Sequence, residues 1–161
     1  MSFNLTRKTD YALVALAKLA QEKMNAGGEP VSARTLADQY HLPLPLLMNA
    51  LKELHRGGIL DSRRGTHGGY YLTRDPEDIS LREVIEALEG TVNVTLCSDE
   101  NHKADQGVCN LVDTCIISEP IRRFNWMLND FLDRISLKDL VTQEFGEADA
   151  TPAFLMNGVR V

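Results

Sequence analysis

Two short β-type runs, residues 59–64 and 70–73, flank the glycine-rich tip Gly65-Thr66-His67-Gly68-Gly69. A tip of that composition folds the chain back on itself, so the pair reads as a hairpin. Arg63 and Arg64 stand at its base, with no acid until Asp75. Two such cations favour a ribbon laid against a phosphate backbone over an ordinary surface ribbon.

Three helical segments precede the hairpin. Leu5, Ala12, Leu13, Leu16, Leu19 and Ala20 recur at helical spacing and predict a helix over residues 5–23. The run Asn25-Ala26-Gly27-Gly28-Glu29-Pro30 ends it in a loop. Ser32 predicts the cap of a short second helix reaching Tyr40, with Leu36 and Ala37 inward. Pro45 is tolerable only in the first turn of a third helix, which Gly57-Gly58 stops after Arg56. Three helices and then a hairpin is the order of a winged helix-turn-helix. The expected fold is mainly α with a small β-hairpin wing.

Ser80 and Glu83 form a capping box for a helix through Glu89, ended by Gly90. Residues 91–114 read as irregular loop. Glu119-Pro120 then opens a long helix, on which Ile121, Phe124, Leu128, Phe131, Leu132 and Ile135 form an apolar stripe. A stripe so far from the first core needs a partner surface. It could fold back on its own domain, but the economical partner is the same helix across a two-fold axis, so the expected assembly is a homodimer. The expected division is residues 1–80 for DNA binding, 81–117 for a linker helix and cysteine loop, 118–145 for a dimerisation helix and 146–161 for a flexible tail.

The formal net charge of −6 argues against an anionic partner until its distribution is followed. Residues 1–80 hold ten Lys/Arg and nine Asp/Glu, whereas residues 81–161 hold seven and fourteen. A local basic patch is therefore possible in the front half, while the back half repels phosphates. No apolar run approaches the ~20 residues a membrane span needs, and the N-terminus lacks the pattern of a signal peptide. The expected setting is cytoplasmic, without a membrane partner. No P-loop, dinucleotide fingerprint or Gly-x-Ser-x-Gly elbow is present, and His41, His55, His67 and His102 are dispersed. An enzyme is not expected.

The three cysteines, Cys97, Cys109 and Cys115, fall within nineteen residues. An odd number in such a chain does not suit a disulfide framework, and their closeness suits a metal or redox site over scattered core thiols. Soft thiolates favour iron–sulfur over hard cations, although zinc also accepts three cysteines and a fourth ligand.

Four segments resemble the IscR/NsrR-type winged-helix regulators of bacteria, the BadM/Rrf group. They are Leu5-Thr6-Arg7-Lys8-Thr9-Asp10-Tyr11-Ala12-Leu13, Ser62-Arg63-Arg64-Gly65-Thr66-His67-Gly68-Gly69-Tyr70, Ile79-Ser80-Leu81-Arg82-Glu83-Val84-Ile85-Glu86-Ala87-Leu88-Glu89-Gly90, and Ile135-Ser136-Leu137-Lys138-Asp139-Leu140. The likeness spans residues 3–141. It implies a dimer that sets two recognition helices in successive major grooves of a near-palindromic double-stranded DNA operator. The matching groove positions are Pro43, Pro45, Met48 and Asn49. Asn49 alone among them can hydrogen-bond a base edge, with adenine its natural partner. So sparse a set leaves much specificity to DNA shape. Arg64 matches the wing arginine of the minor groove. Lys52 and Arg63 suit phosphates, although solvated surface charge is the plain alternative for them and for Arg56. His67 at the wing tip could approach DNA.

The resemblance also implies an iron–sulfur cluster, 2Fe-2S or 4Fe-4S, on Cys97, Cys109 and Cys115, and through it a sensor of iron–sulfur status, redox state or nitric oxide. Two departures bear on that site. Eleven residues separate Cys97 from Cys109, against five between Cys109 and Cys115, where the family usually spaces its cysteines about five to seven residues apart. Loop entropy grows slowly with length, so the longer loop can still close. Ser118 stands where IscR-like members carry a histidine ligand. NsrR-like members instead take an aspartate from the partner's first helix, and Asp10 occupies the matching place. His102 is the rival fourth ligand, and an exogenous ligand a third possibility. The plain role for Asp10 is a first-turn acid favoured by the helix dipole. A cluster-free winged-helix regulator switched by thiols or zinc is the alternative function.

Overall fold

Gly27 adopts φ 73° and its N–H closes on the Glu22 carbonyl, which terminates helix α1 (Arg7–Ala26). The helix runs three residues beyond the predicted end because nothing before Gly27 breaks it. The computed structural model describes residues 5–95 and 114–143. In α2 (Ala33–Tyr40) the Ser32 hydroxyl accepts from the Thr35 N–H at 3.0 Å, as its capping role predicts. Helix α3 (Leu44–Arg56) takes Pro45 in its first turn, where no intrahelical donor is lost.

Strands β1 (Leu60–Arg63) and β2 (Gly69–Leu72) pair antiparallel, with Leu60 opposite Leu72 and Arg63 opposite Gly69. The hairpin is fastened to the helical body at a second edge. Val31 and Tyr70 exchange both backbone hydrogen bonds, at 2.9 and 2.8 Å. That pairing brings the chain so close at Gly69 that a β-carbon there would overlap the Val31 carbonyl and the Ser32 nitrogen.

Leu16 and Leu19 of α1, Leu36 of α2, Leu47, Leu51 and Leu54 of α3, and Leu60 and Leu72 of the hairpin meet in one buried core. Each such side chain contributes about 1.5–3 kcal/mol by leaving water. A one-turn 3₁₀ helix, Pro76–Asp78, leads to α4 (Leu81–Glu89), whose Ser80–Glu83 capping box is complete in both directions. Val84 and Leu88 of α4 join the same core.

The helix expected over 118–145 is divided. Helix α5 (Ser118–Arg134) ends where Ile135 turns extended, and α6 (Leu137–Thr142) begins behind a second capping box, Ser136 with Asp139. The two capping serines lie side by side. Leu81 N–H donates to the Ile135 carbonyl at 2.7 Å and Leu137 N–H to the Ile79 carbonyl at 3.0 Å. Leu137 is thereby buried in the core built by α1–α3. The expected stripe is also split: Leu132 packs against Ile85 and Val92, while Phe124 is half exposed. Among the described residues no helix is long and apolar enough to cross a membrane. The tail expected over 146–161 lies outside the described residues.

Candidate nucleic-acid interface and metal centre

Helix α3 has two faces. Leu47, Ala50, Leu51 and Leu54 are buried, and Pro45, Met48, Asn49, Lys52 and Arg56 are exposed. The exposed set recurs at three and four residues, so it forms one stripe along the helix. Pro43, exposed, stands just ahead of it. The sequence-predicted groove residues are thus brought together on one solvent-facing surface.

Arg63, Arg64 and His67 are exposed on the hairpin. The Arg63 guanidinium lies 5.8 Å above the Tyr71 ring, a cation–π arrangement that holds it at the hairpin base. Asp61 accepts from the Ser62 N–H at 2.7 Å and from the Tyr71 hydroxyl at 3.1 Å. Those two hydrogen bonds, the backbone one first, hold its carboxyl below the usual carboxylate range. His55 Nδ1 is 3.0 Å from the Leu60 carbonyl and ties the end of α3 to β1.

Of the cysteines, Cys115 is described; Cys97, Cys109 and the rival ligand His102 lie outside the described residues. Cys115 is half-buried and its thiol is free. Its carbonyl accepts from the Ser118 N–H at 3.3 Å and from the Ser118 hydroxyl at 3.0 Å, so Ser118 closes the turn that opens α5. Asp10 lies exposed in the first turn of α1. Among the described residues no group of three or more metal-ligating side chains converges.

The entry of the cysteine loop is held by two residues that hydrophobic patterning overlooks. Asn125 and Asn129 are the buried polar residues of α5. Asn125 Oδ1 accepts from the Val94 N–H at 2.9 Å, and Asn129 Nδ2 donates to the Val92 carbonyl at 3.0 Å. The loop that leaves α4 is therefore laid along the helix that Cys115 introduces, with about 10 Å of helix between Ser118 and Asn125. Cys115 stands at the far end of that loop, and three thiolates with a carboxylate would be, by their chemistry, a fitting donor set for an iron–sulfur group. The available signal was two asparagines, four residues apart, inside an otherwise amphipathic pattern.

A polar clamp joins α1 to α4. The Glu89 carboxylate accepts from the Thr6 N–H at 3.1 Å, the Thr6 hydroxyl at 2.6 Å and the Thr9 hydroxyl. Burial would raise its pKa, but these hydrogen bonds and the charge of Lys8 outweigh burial and hold the carboxyl below its ordinary value.

A family model described as Rrf2, iron-dependent transcriptional regulator, matches residues 5–143. The chain belongs to the Rrf2 family. This Rrf2 protein is 30% identical over 140 residues to the HTH-type transcriptional regulator IscR of Escherichia coli, covering 87% of this chain and 81% of that one. It is similar in structure to T. potens IscR, with a TM-score of 0.65 and 26% identity, over 97% of this chain and 98% of the other. It is equally similar, with a TM-score of 0.65 and 25% identity, to CymR of B. subtilis, described as a global cysteine regulator. That match covers 88% of this chain and 98% of CymR. The fold is the expected winged helix, and the protein is a transcriptional regulator of the Rrf2 family rather than an enzyme.

Proposed function

We propose that this Rrf2 regulator is a homodimer that reads a near-palindromic operator and senses its signal through an iron–sulfur cluster. The observation that carries the DNA reading is the division of α3 into a core face and an exposed stripe of Pro45, Met48, Asn49 and Lys52. Asn49 offers the hydrogen bonds for a base edge, Arg64 enters the minor groove, and Lys52, Arg63 and His67 meet the backbone. Ile117, 60% exposed, and Phe124, 50% exposed, support pairing of α5 with a second copy of itself.

Cys97, Cys109 and Cys115 hold the cluster, and Asp10 of the partner protomer supplies the fourth donor. Ser118 supports that choice, since its hydroxyl is turned back on the Cys115 carbonyl. When bound, the cluster supplies a bond between subunits that responds to redox state or nitric oxide. Asp10 then ties one protomer's DNA-binding unit to the other's cysteine loop. DNA affinity shifts only by the difference in cluster binding between the two conformations.

The test is anaerobic purification with iron and sulfide counts, visible absorption and Mössbauer spectroscopy, followed by DNA binding with and without the cluster. Asp10→Ala is expected to labilise the cluster, whereas His102→Ala leaves it intact. Colourless, iron-free protein that also fails reconstitution would remove the cluster reading and leave the thiol or zinc switch.

A further inference from the structure

The first turn of α1 touches more than α4. Lys8, two residues before Asp10, sends its ammonium to the Glu53 carboxylate at 2.7 Å and to the Leu88 carbonyl at 2.6 Å. Three helices meet on one nitrogen: α1, which bears Asp10; α3, which bears Asn49 and Lys52; and α4, which leads through Gly90 into the cysteine loop. The lysine and glutamate side chains are only 24% and 33% exposed, so the pair is screened less than a surface ion pair. Leu88 O is among the last carbonyls of α4, where a cation also complements the helix dipole. Thr9, between Lys8 and Asp10, is fully buried and bonds Glu89. The turn is therefore anchored at the two residues immediately before the candidate ligand, and a pull on Asp10 is delivered to whatever Lys8 holds.

We propose that Lys8 is a positioning residue that transmits the state of the metal centre to the recognition helix, through Glu53 on one side and the end of α4 on the other. The proposal rests on the cluster reading with Asp10 as donor. Lys8 touches neither DNA nor cluster. It sets where α3 sits relative to the turn that the centre pulls on. Without it, α3 keeps its core packing through Leu47, Leu51 and Leu54 and still reads DNA, but it no longer follows the cluster.

The experiment uses the full-length protein and a duplex selected from a random-sequence library by the iron-loaded wild type. Operator affinity is measured anaerobically with cluster-loaded and cluster-free protein for wild type, Lys8→Met, Glu53→Gln and the double variant. A wild-type affinity ratio of about 5- to 150-fold, as allosteric couplings usually are, should fall to within about twofold of unity in each variant. Iron content and visible spectrum should match wild type. The double variant should lose no more coupling than either single one, because the two residues act through one contact. Lys8→Arg, which keeps the charge, should restore most of the ratio and guards against a general folding defect. If Lys8→Met and Glu53→Gln fold, load iron and keep the wild-type ratio, the relay is wrong while the sensor stands. If wild type takes up no iron, or binds the duplex equally with and without it, the sensor reading fails and the relay falls with it.

Discussion

The Val94 N–H donates to Asn125 Oδ1 at 2.9 Å, a bond between residues thirty-one positions apart. It fixes the start of the cysteine loop against α5 by pairing the buried Asn125 side chain with the backbone of a residue that is itself exposed. Asn125→Leu is expected to destabilise the protein by about 0.5–1.5 kcal/mol, the net worth of a hydrogen bond whose backbone donor water can partly reach. Asn125→Asp, which retains the acceptor, should cost less. Thermal unfolding followed by the single tryptophan, Trp126, measures the loss, and hydrogen exchange at Val94 localises it. Unchanged exchange in the leucine variant would contradict this role.

Gly69→Ala is expected to cost about 1–3 kcal/mol, the usual penalty for forcing an extra carbon into a packed site. The added carbon meets Val31 backbone, which cannot swing aside as a side chain could. Thr66→Ala, at the exposed tip, should stay within about 0.5 kcal/mol of wild type. Denaturant unfolding of the two variants separates close approach from a general dislike of changes in the hairpin.

The lowered carboxyl of Glu89 makes the α1–α4 clamp pH-dependent in a defined direction. A carboxylate held below its ordinary value stabilises the fold above the unfolded-state pKa of about 4.3. That contribution disappears as pH falls through the lower folded-state value. The stability difference between wild type and Glu89→Gln should therefore be largest near neutral pH and shrink in acid. Urea titrations at pH 7 and at strongly acidic pH check it, and an equal difference at both would rule the clamp out as an acid-sensitive element.

Asn49→Ala and Lys52→Ala should weaken DNA binding in different ways. Losing the bidentate partner of a base costs about 1–3 kcal/mol and relaxes preference at one position. Losing a phosphate contact weakens all sequences alike and reduces the salt slope by about one. Salt titrations on matched and mismatched duplexes distinguish the two, and identical slopes for both variants would remove Lys52 from the phosphate contacts.

Much of this architecture was legible in the chain because its signals are local. Ser32 and the Ser80–Glu83 box announced helix starts through hydrogen bonds that span three residues. Pro45 and Gly57 bounded α3, and the alternation of buried and exposed positions along it followed from helical period alone. The glycine-rich tip announced a hairpin, although not that Gly69 is needed for pairing with Val31.

What the chain by itself determined was the kind and order of its elements, and the candidate donors and groove residues they carry. What only the tertiary structure decided was which distant groups share a hydrogen bond. It divided the expected long helix at Ile135, sent Leu137 back into the first core, placed Asn125 under Val94, and gathered Glu53 and Leu88 on Lys8. The physical reason is range. Caps and periods are set by neighbours within a turn or two, whereas a buried amide or half-buried ammonium takes its partner from whatever polar group the packing brings within about 3 Å.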